Sequence, residues 1–171
     1  FIEEEQWRLD LLAEQPVAAA TELPSQRAVM PTLREATAGL RGTGPLVAVV
    51  VTSVGTFRCE LDEARISEPV AAFVALARGK IASLREAPDG TALWLEQPYF
   101  DGGTNESSVA GGYAALRGRS PRHGSGVRIP DALKLGFRFE SAGLLALAND
   151  GPDSADGDFI VTLAAVPSFD D

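Results

Sequence analysis

Two short apolar segments with a turn-rich segment between them constrain the fold of this chain most strongly. Residues 143–148 and 159–163 are apolar, and the ten residues between them include four aspartates, two glycines and a proline. The second segment is rich in the β-branched side chains that favour strands, namely Ile160, Val161 and Thr162. Short runs bounded by Gly, Asn and Asp are typical of strands. The sequence therefore predicts two strands joined by a long ordered loop.

A β-hairpin is expected near residue 50. Residues 46–52 form a β-branched run, and a turn signal around Gly55 precedes residues 56–61. In that second run the apolar side chains alternate with polar ones, and the apolar positions are Phe57, Cys59 and Leu61. This alternation predicts a half-buried strand paired with the first. Cys59 is accordingly interpreted as a packed core thiol and not as a reactive one.

Helices are expected on both sides of this hairpin. One begins near Pro31, and its apolar face carries Leu33, Ala36, Thr37 and Leu40. The other covers residues 67–79, where Ser67 suits the N-cap, Pro69 the first turn and Gly79 the stop. The stretch from 80 to 97 is interpreted as a surface loop anchored by Trp94.

The first 44 residues are predicted to form a helical arm that precedes the main domain, residues 45–171. Residues 3–14 are predicted to be a helix with Trp7 and Leu11 on its apolar side, and a linker follows. Two interpretations of this helix stay open: it packs on its own domain, or it docks on a partner chain. The start at Phe1 indicates a preceding segment, a longer precursor or a trimmed chain, and leans towards a bacterial cell-envelope or secreted location.

Residues 102–126 are rich in glycine, serine and arginine and are predicted to be loops with one short strand at 113–116. Basic residues are concentrated here in an otherwise acidic chain: Arg117, Arg119, Arg122, His123 and Arg128. Two interpretations stay open for this basic cluster. It is either a solvated loop or a contact surface for an acidic partner.

Composition excludes several classes of function. The 171 residues are 45% apolar, which suits one globular domain with its own core. The formal net charge of −9 argues against a surface that follows nucleic-acid phosphates, and no apolar run is long enough to span a bilayer. One cysteine and one histidine argue against a metal site, and no cofactor is expected.

Six short motifs, in order, resemble those of the cyclophilin-type peptidyl-prolyl isomerases over residues 46–171. They are the hairpin with Gly55 and Glu60-Leu61, the helix with Pro69 to Phe73 and Leu76 to Gly79, Pro98 to Gly102, Ile129 to Asp131, Leu147 to Pro152, and Phe159. The resemblance implies an antiparallel eight-stranded β-barrel with capping helices. It also implies that the C-terminal strands of that barrel lie beyond Asp171, or that a partner chain supplies them.

The resemblance extends less well to the residues that carry the family's activity. Isomerisation has to lower a barrier of about 18–20 kcal/mol, and the family does so with an arginine that hydrogen-bonds near the prolyl amide. That arginine falls here on Ser107 or Ser108, and the family's glutamines fall on Leu116 and Asp158. The pocket phenylalanine falls on Ile160 and the tryptophan on Ser168, and the family's histidine lies beyond Asp171. No catalytic residue is therefore assigned.

The residues expected to form a vestigial peptide groove are Tyr113, Leu147, Ala148, Asn149, Asp158 and Ile160. In the family the backbone at the positions that match Ala148-Asn149 pairs with the bound peptide. We expect a catalytically degenerate cyclophilin-like module that serves as a protein-interaction or scaffold subunit. The alternatives are a binder of proline-containing peptides and an active divergent isomerase, in which Arg117, Arg119 or Arg122 replaces the missing guanidinium.

Overall fold

The computed structural model describes residues 30–86, 89, 91–108, 112–118, 125–132 and 136–170. The predicted helix at 3–14 and the linker up to residue 29 lie outside these ranges, as do Arg119, Arg122 and His123. The described elements, in chain order, are α1 (Leu33–Thr37), β1 (Val47–Thr52), β2 (Gly55–Glu60), α2 (Ser67–Ala77), β3 (Ser83–Glu86), β4 (Ala92–Leu95), β5 (Thr104–Ser108), β6 (Tyr113–Arg117), β7 (Leu145–Leu147), β8 (Phe159–Thr162) and a 3₁₀ turn (Pro167–Phe169).

The described chain is mainly β, as the sequence predicts. Its eight strands form three antiparallel sheets: the β1–β2 hairpin, the β3–β4 hairpin and a four-stranded sheet of order β5-β6-β8-β7. Within the described residues none of these sheets closes into a barrel. The mainly β class is thus confirmed, whereas the cyclophilin-like barrel stays a prediction.

The two strands predicted within residues 143–148 and 159–163 are β7 and β8, and they lie at one side of the four-stranded sheet. β7 pairs with β8 antiparallel, with Leu145 opposite Val161 and Leu147 opposite Phe159. β8 is also paired with β6, so it is an interior strand and its residues are buried or half-buried. An interior position suits the β-branched side chains of Ile160, Val161 and Thr162.

The predicted hairpin near residue 50 is confirmed. β1 and β2 pair in register from Val47 opposite Glu60 to Thr52 opposite Gly55. Phe57 and Cys59 are half-buried and Leu61 is buried, in the alternation that the sequence predicts. Burial raises the pKa of the Cys59 thiol, which agrees with its interpretation as a packed and unreactive side chain.

Three local predictions are wrong. β5 is a strand at Thr104–Ser108, within the stretch that is predicted to be loops with one short strand at 113–116. The stretch from 80 to 97 is not a loop, because β3 and β4 form a hairpin in which Leu84 pairs with Trp94. Its apolar residues therefore serve cross-strand packing. In α2 the N-cap position belongs to Ile66, which makes no side-chain capping bond, and Ser67 is the first helical residue.

The core is built where the predicted motifs meet. Phe73 of α2 packs against Phe100 and Phe159, with ring centroids 5.3 and 5.4 Å away, and Phe100 also contacts Tyr99. The Tyr99 amide donates to the Leu76 carbonyl at 2.8 Å. Residues of five of the six motifs therefore belong to a single apolar cluster, and Leu147 of the remaining motif packs against it.

The glycine that follows α2, Gly79, has to be a glycine because the backbone of Gln97 lies directly against it. Gly79 has a φ of +61°, and a Cβ placed there would lie 2.5 Å from the backbone carbon of Gln97. Glycine is the residue that adopts this left-handed conformation without a Cβ penalty. The end of α2 is thereby held against the residues that precede Tyr99.

The described part of the predicted arm packs on the main domain. Thr32 caps α1 and exchanges hydrogen bonds with Glu35, which is the reciprocal capping box. Ala36 is buried in the core cluster, and its carbonyl accepts a bond from the Arg78 guanidinium at 2.5 Å. The predicted boundary near Pro45 is untested and stays a prediction.

Candidate functional site

Strand register places four of the six predicted groove residues on one face of the four-stranded sheet. Tyr113 pairs with Thr162, Ala115 pairs with Ile160, and Asp158 directly precedes the first pair of the β6–β8 ladder. The register that pairs Leu147 with Phe159 continues to Ala148 opposite Asp158. Because side chains alternate along a strand, Tyr113, Ala148, Asp158 and Ile160 share a face, which we call the site face. Phe159 is on the opposite face and belongs to the core.

Leu147 does not belong to the site face. It pairs with Phe159 and packs against the core cluster, so its side chain serves the interior and not a peptide groove. Ala148 donates its amide to the Asp158 carbonyl at 2.8 Å and continues the pairing with β8. Asn149 follows as an exposed residue beyond the end of β7.

The Asp158 carboxylate is buried and accepts hydrogen bonds from inside the protein. The residue is 4% exposed. The Tyr99 hydroxyl donates to Oδ1 at 2.8 Å, and the Gly118 amide donates to the same oxygen at 3.0 Å. The Arg117 guanidinium lies 3.7 Å from Oδ2. A buried carboxylate requires such donors, because its charge is costly to remove from water.

Tyr99 is the main donor of this network and is itself fully buried. Burial, and then the hydrogen bond to Asp158 and the charge of that carboxylate, raise the pKa of the Tyr99 hydroxyl far above its usual range. Burial and the neighbouring carboxylate therefore favour the protonated phenol, which is the form that donates to Asp158.

The residue that follows β6, Gly118, packs against the ring of Tyr99. Gly118 lies so close to the Tyr99 ring that a Cβ there would overlap its Cε1 and Cζ atoms. Arg85, a buried residue of β3, donates to the carbonyls of Pro98 and Asp101 on either side of Tyr99. Together these contacts fix the Tyr99 loop with respect to Asp158.

Tyr113, the aromatic residue of the predicted groove, packs against neighbouring aromatic rings. Tyr113 contacts Phe169 at a centroid distance of 5.2 Å, and Phe169 contacts Phe139 edge-on at 5.6 Å. The Phe139 amide donates to the Asp170 carboxylate at 2.7 Å, which holds the 3₁₀ turn in place. Ile160 is only 8% exposed. The site face is therefore closed at Ile160 and half-open at Tyr113.

The aspartate next to this network is electrostatically strained. Asp156 is half-buried, and burial, followed by the charge of Asp158, raises the pKa of its carboxyl. Its backbone carbonyl accepts from both the amide and the hydroxyl of Ser125. The backbone of Asp156 is thus held by Ser125, and the raised pKa means that burial disfavours the charged form of its carboxyl.

The positions aligned with the family's arginine lie on β5. Ser108 is opposite Tyr113 and Ser107 is opposite Ala114 in the β5–β6 ladder. Arg117 lies at the other end of β6 and interacts with Asp158. Of the three arginines considered as replacements, it is the one within the described ranges, and register places it on the site face.

The outer edge of β7 has no strand paired with it among the described residues. The Ala148 amide donates to the Asp158 carbonyl, and the Leu144 carbonyl accepts from the Thr162 amide. In this register the backbone groups of Leu145, Leu147 and Asn149 point away from β8. Unpaired N–H and C=O groups in a row are a template for an added strand. This edge ends at Asn149, where the resemblance predicts peptide pairing.

Sequence reasoning missed Tyr99, Gly118 and Arg85. Tyr99 belongs to the Pro98 to Gly102 motif of the resemblance, but its role depends on a partner 59 residues away along the chain. A signal was present in Asp158 itself, because an aspartate that begins an interior strand needs a buried donor. No comparable signal marks Arg85.

Two further classes of site find no support in the described part of the chain. No group of three or more His, Cys, Asp or Glu side chains there is arranged to hold a metal ion. No described helix is long and apolar enough to cross a membrane. A comparison with models of known protein families finds none that matches this chain.

Proposed function

We propose that this chain is a cyclophilin-like module that binds other proteins through extended segments and does not catalyse prolyl isomerisation. The observation that carries the proposal is the engagement of Asp158. It occupies the position of a site glutamine in the resembled family, and here its carboxylate accepts from Tyr99 and Gly118. A side chain held in this way is not available to a ligand.

The retained scaffold supports the cyclophilin-like part of the proposal. Phe73, Tyr99, Phe100 and Phe159 belong to motifs separated by up to 86 residues, yet they contact one another in one core. This contact agrees with the resemblance, in which these motifs belong to one domain. The eight-stranded barrel belongs to the same proposal.

The β7 edge supports the binding part of the proposal. A peptide laid along Leu145, Leu147 and Asn149 would extend the four-stranded sheet by one antiparallel or parallel strand. The half-open rings of Tyr113 and Phe169 offer a separate apolar contact on the site face, two strands away from this edge. Proline-containing segments suit such a contact, because a proline ring has no N–H to desolvate. The arm of residues 1–44 is a further candidate for docking a larger assembly.

Peptide titration tests this proposal. A fluorescent proline-containing peptide is titrated with the full chain and followed by anisotropy, alongside the same peptide with alternate backbone amides methylated. Strand addition requires those amides, so the methylated peptide is expected to bind at least roughly tenfold more weakly. Equal binding of the two peptides would contradict docking along the β7 edge.

The second candidate function is an active isomerase, and the position of Arg117 favours it. This guanidinium is on the site face and partly exposed, with its charge close to Asp158. In an active enzyme Arg117 would supply the hydrogen bond to the prolyl amide. Catalysed isomerisation that is lost in Arg117→Ala would establish this alternative over the first proposal.

A further inference from the structure

The outer face of the β1–β2 hairpin carries a row of exposed valines. Val47, Val49 and Val51 are 38, 51 and 75% exposed, whereas Ala48 and Val50 between them pack against the core. Threonine would serve a solvated strand equally well, so three valines on the outer face are not required by the hairpin. Contiguous exposed apolar side chains of this kind mark surfaces that pack against other chains.

Polar residues of β2 form a second row beside the valines. Thr56 is opposite Val51, Arg58 is opposite Val49 and Glu60 is opposite Val47. Arg58 and Glu60 are exposed, carry opposite charges and lie two residues apart on the same face. Neither forms an ion pair with another described residue. We call these five positions, Val47, Val49, Val51, Arg58 and Glu60, the hairpin face.

We propose that the hairpin face packs against the hairpin face of a second copy of this chain. The two-fold axis would lie between the two sheets, perpendicular to the strands, midway between the Val47/Glu60 pair and the Val49/Arg58 pair. This rotation places Val47 opposite the partner's Val49. It also places Glu60 opposite the partner's Arg58, twice in the dimer. Such an isologous contact is closed and self-complementary.

The charge pattern selects this arrangement over the others. Moving the axis onto Val49 and Arg58 would place the two Arg58 side chains against each other. A two-fold axis parallel to the strands would place the valine row of each copy on the charged row of the other. One register alone matches apolar with apolar and positive with negative. Two sheets packed face to face in this way are a common interface.

A second copy is favoured as the occupant because the complementarity is internal to the sequence. Opposite charges two residues apart in one row are what this two-fold rotation requires. The net charge of −9 on each copy opposes association, and the surface is small. We therefore expect a weak dimer with a micromolar or higher dissociation constant. This proposal does not depend on the proposed peptide-binding function.

Charge exchange across the interface tests the proposal on the full chain by sedimentation equilibrium. Arg58→Glu would place like charges together at both contacts, and so would Glu60→Arg. Each single variant is expected to raise the dissociation constant at least roughly tenfold. An equimolar mixture of the two single variants restores both opposite-charge contacts, and is expected to regain the wild-type association. A chain that carries both Arg58→Glu and Glu60→Arg also pairs opposite charges at both contacts, and it is expected to associate like the wild type.

Matched controls separate this effect from the change in net charge. Arg128→Glu and Glu96→Arg alter exposed residues elsewhere by the same amounts and are expected to leave the association unchanged. If charge reversal unfolds the hairpin, Arg58→Gln and Glu60→Gln remove the charges and are expected to weaken the dimer several-fold. A wild-type chain that stays monomeric at its highest soluble concentration would overturn the proposal. So would a mixture that fails to regain association.

Discussion

The carboxylate of Asp158 depends on a small number of donors, and each of them matters. It is buried at the start of an interior strand, where water cannot replace a lost hydrogen bond. The Tyr99 hydroxyl supplies the shortest of its bonds, at 2.8 Å. Since an unsatisfied buried charge is costly, the identity of residue 99 is tied to that of residue 158.

Tyr99→Phe is expected to destabilise the protein by about 1–3 kcal/mol, because it removes a donor from a buried carboxylate without opening a cavity. Urea unfolding measures the change. Tyr113→Phe is the matched control, since Tyr113 is the chain's other tyrosine and is half-buried on the site face. It is expected to shift stability by less than about 0.5 kcal/mol. Equal effects of the two substitutions would contradict a special role for the Tyr99 hydroxyl.

Asp156→Asn is expected to stabilise the protein at pH 7. The folded state raises the pKa of this carboxyl through burial and the charge of Asp158, so ionisation favours the unfolded chain. Wild-type stability should therefore fall as the pH rises through the raised pKa, and the variant lacks that loss. The advantage of the variant should shrink as the pH falls below the ordinary value of 3.8. Urea unfolding at several pH values measures it, and a variant less stable at pH 7 would contradict the argument.

Among the secondary-structure elements, those with a regular pattern could be predicted from the sequence and the others could not. The β1–β2 hairpin follows from alternation and a turn signal, and β8 from its β-branched run. The β3–β4 hairpin was missed because Leu93, Trp94 and Leu95 are consecutive apolar residues with no period of two. β5 was missed because Asn, Glu and Ser have low strand propensity, and its pairing with β6 holds it in place.

The end of β6 is expected to be intolerant of any side chain at Gly118. Its φ is not in the left-handed region, so the constraint comes from the Tyr99 ring that lies against it. Gly118→Ala is expected to cost roughly 1–3 kcal/mol or more, because the ring and the Asp158 contact must shift. Gly44→Ala is the matched control, since nothing lies within 4 Å of a Cβ placed there. Thermal unfolding compares the two, and a Gly118→Ala variant as stable as Gly44→Ala would contradict this packing.

At the scale of the whole molecule, the candidate site could be predicted only in part. Register requires Tyr113, Ile160 and Asp158 to share a face, and spacing from Asn149 located the last two. The side-chain arrangement could not be predicted, because it depends on residues distant in sequence. Leu147 packs into the core because β7 pairs with β8 in that register, and Asp158 is held by a tyrosine from another loop.

The central claim is the proposal that a cyclophilin-like fold is kept while one of its site positions is used for internal contacts. The aromatic core and the tight glycine contacts stabilise the described fold, and in this proposal the Tyr99–Asp158–Gly118 contacts use a position that the resembled family gives to its ligand. Scaffold and activity are separable, because sites are added to folds and are not determined by them.

The cis–trans rate of a proline tetrapeptide in the presence of the full chain tests this claim most directly. Uncatalysed isomerisation takes tens to hundreds of seconds at 25 °C, so a weak catalyst is easily detected. We expect the rate to equal the uncatalysed rate at every protein concentration, for the wild type and for Arg117→Ala alike. A rate that rises in proportion to wild-type protein and returns to the uncatalysed value in Arg117→Ala would contradict the account.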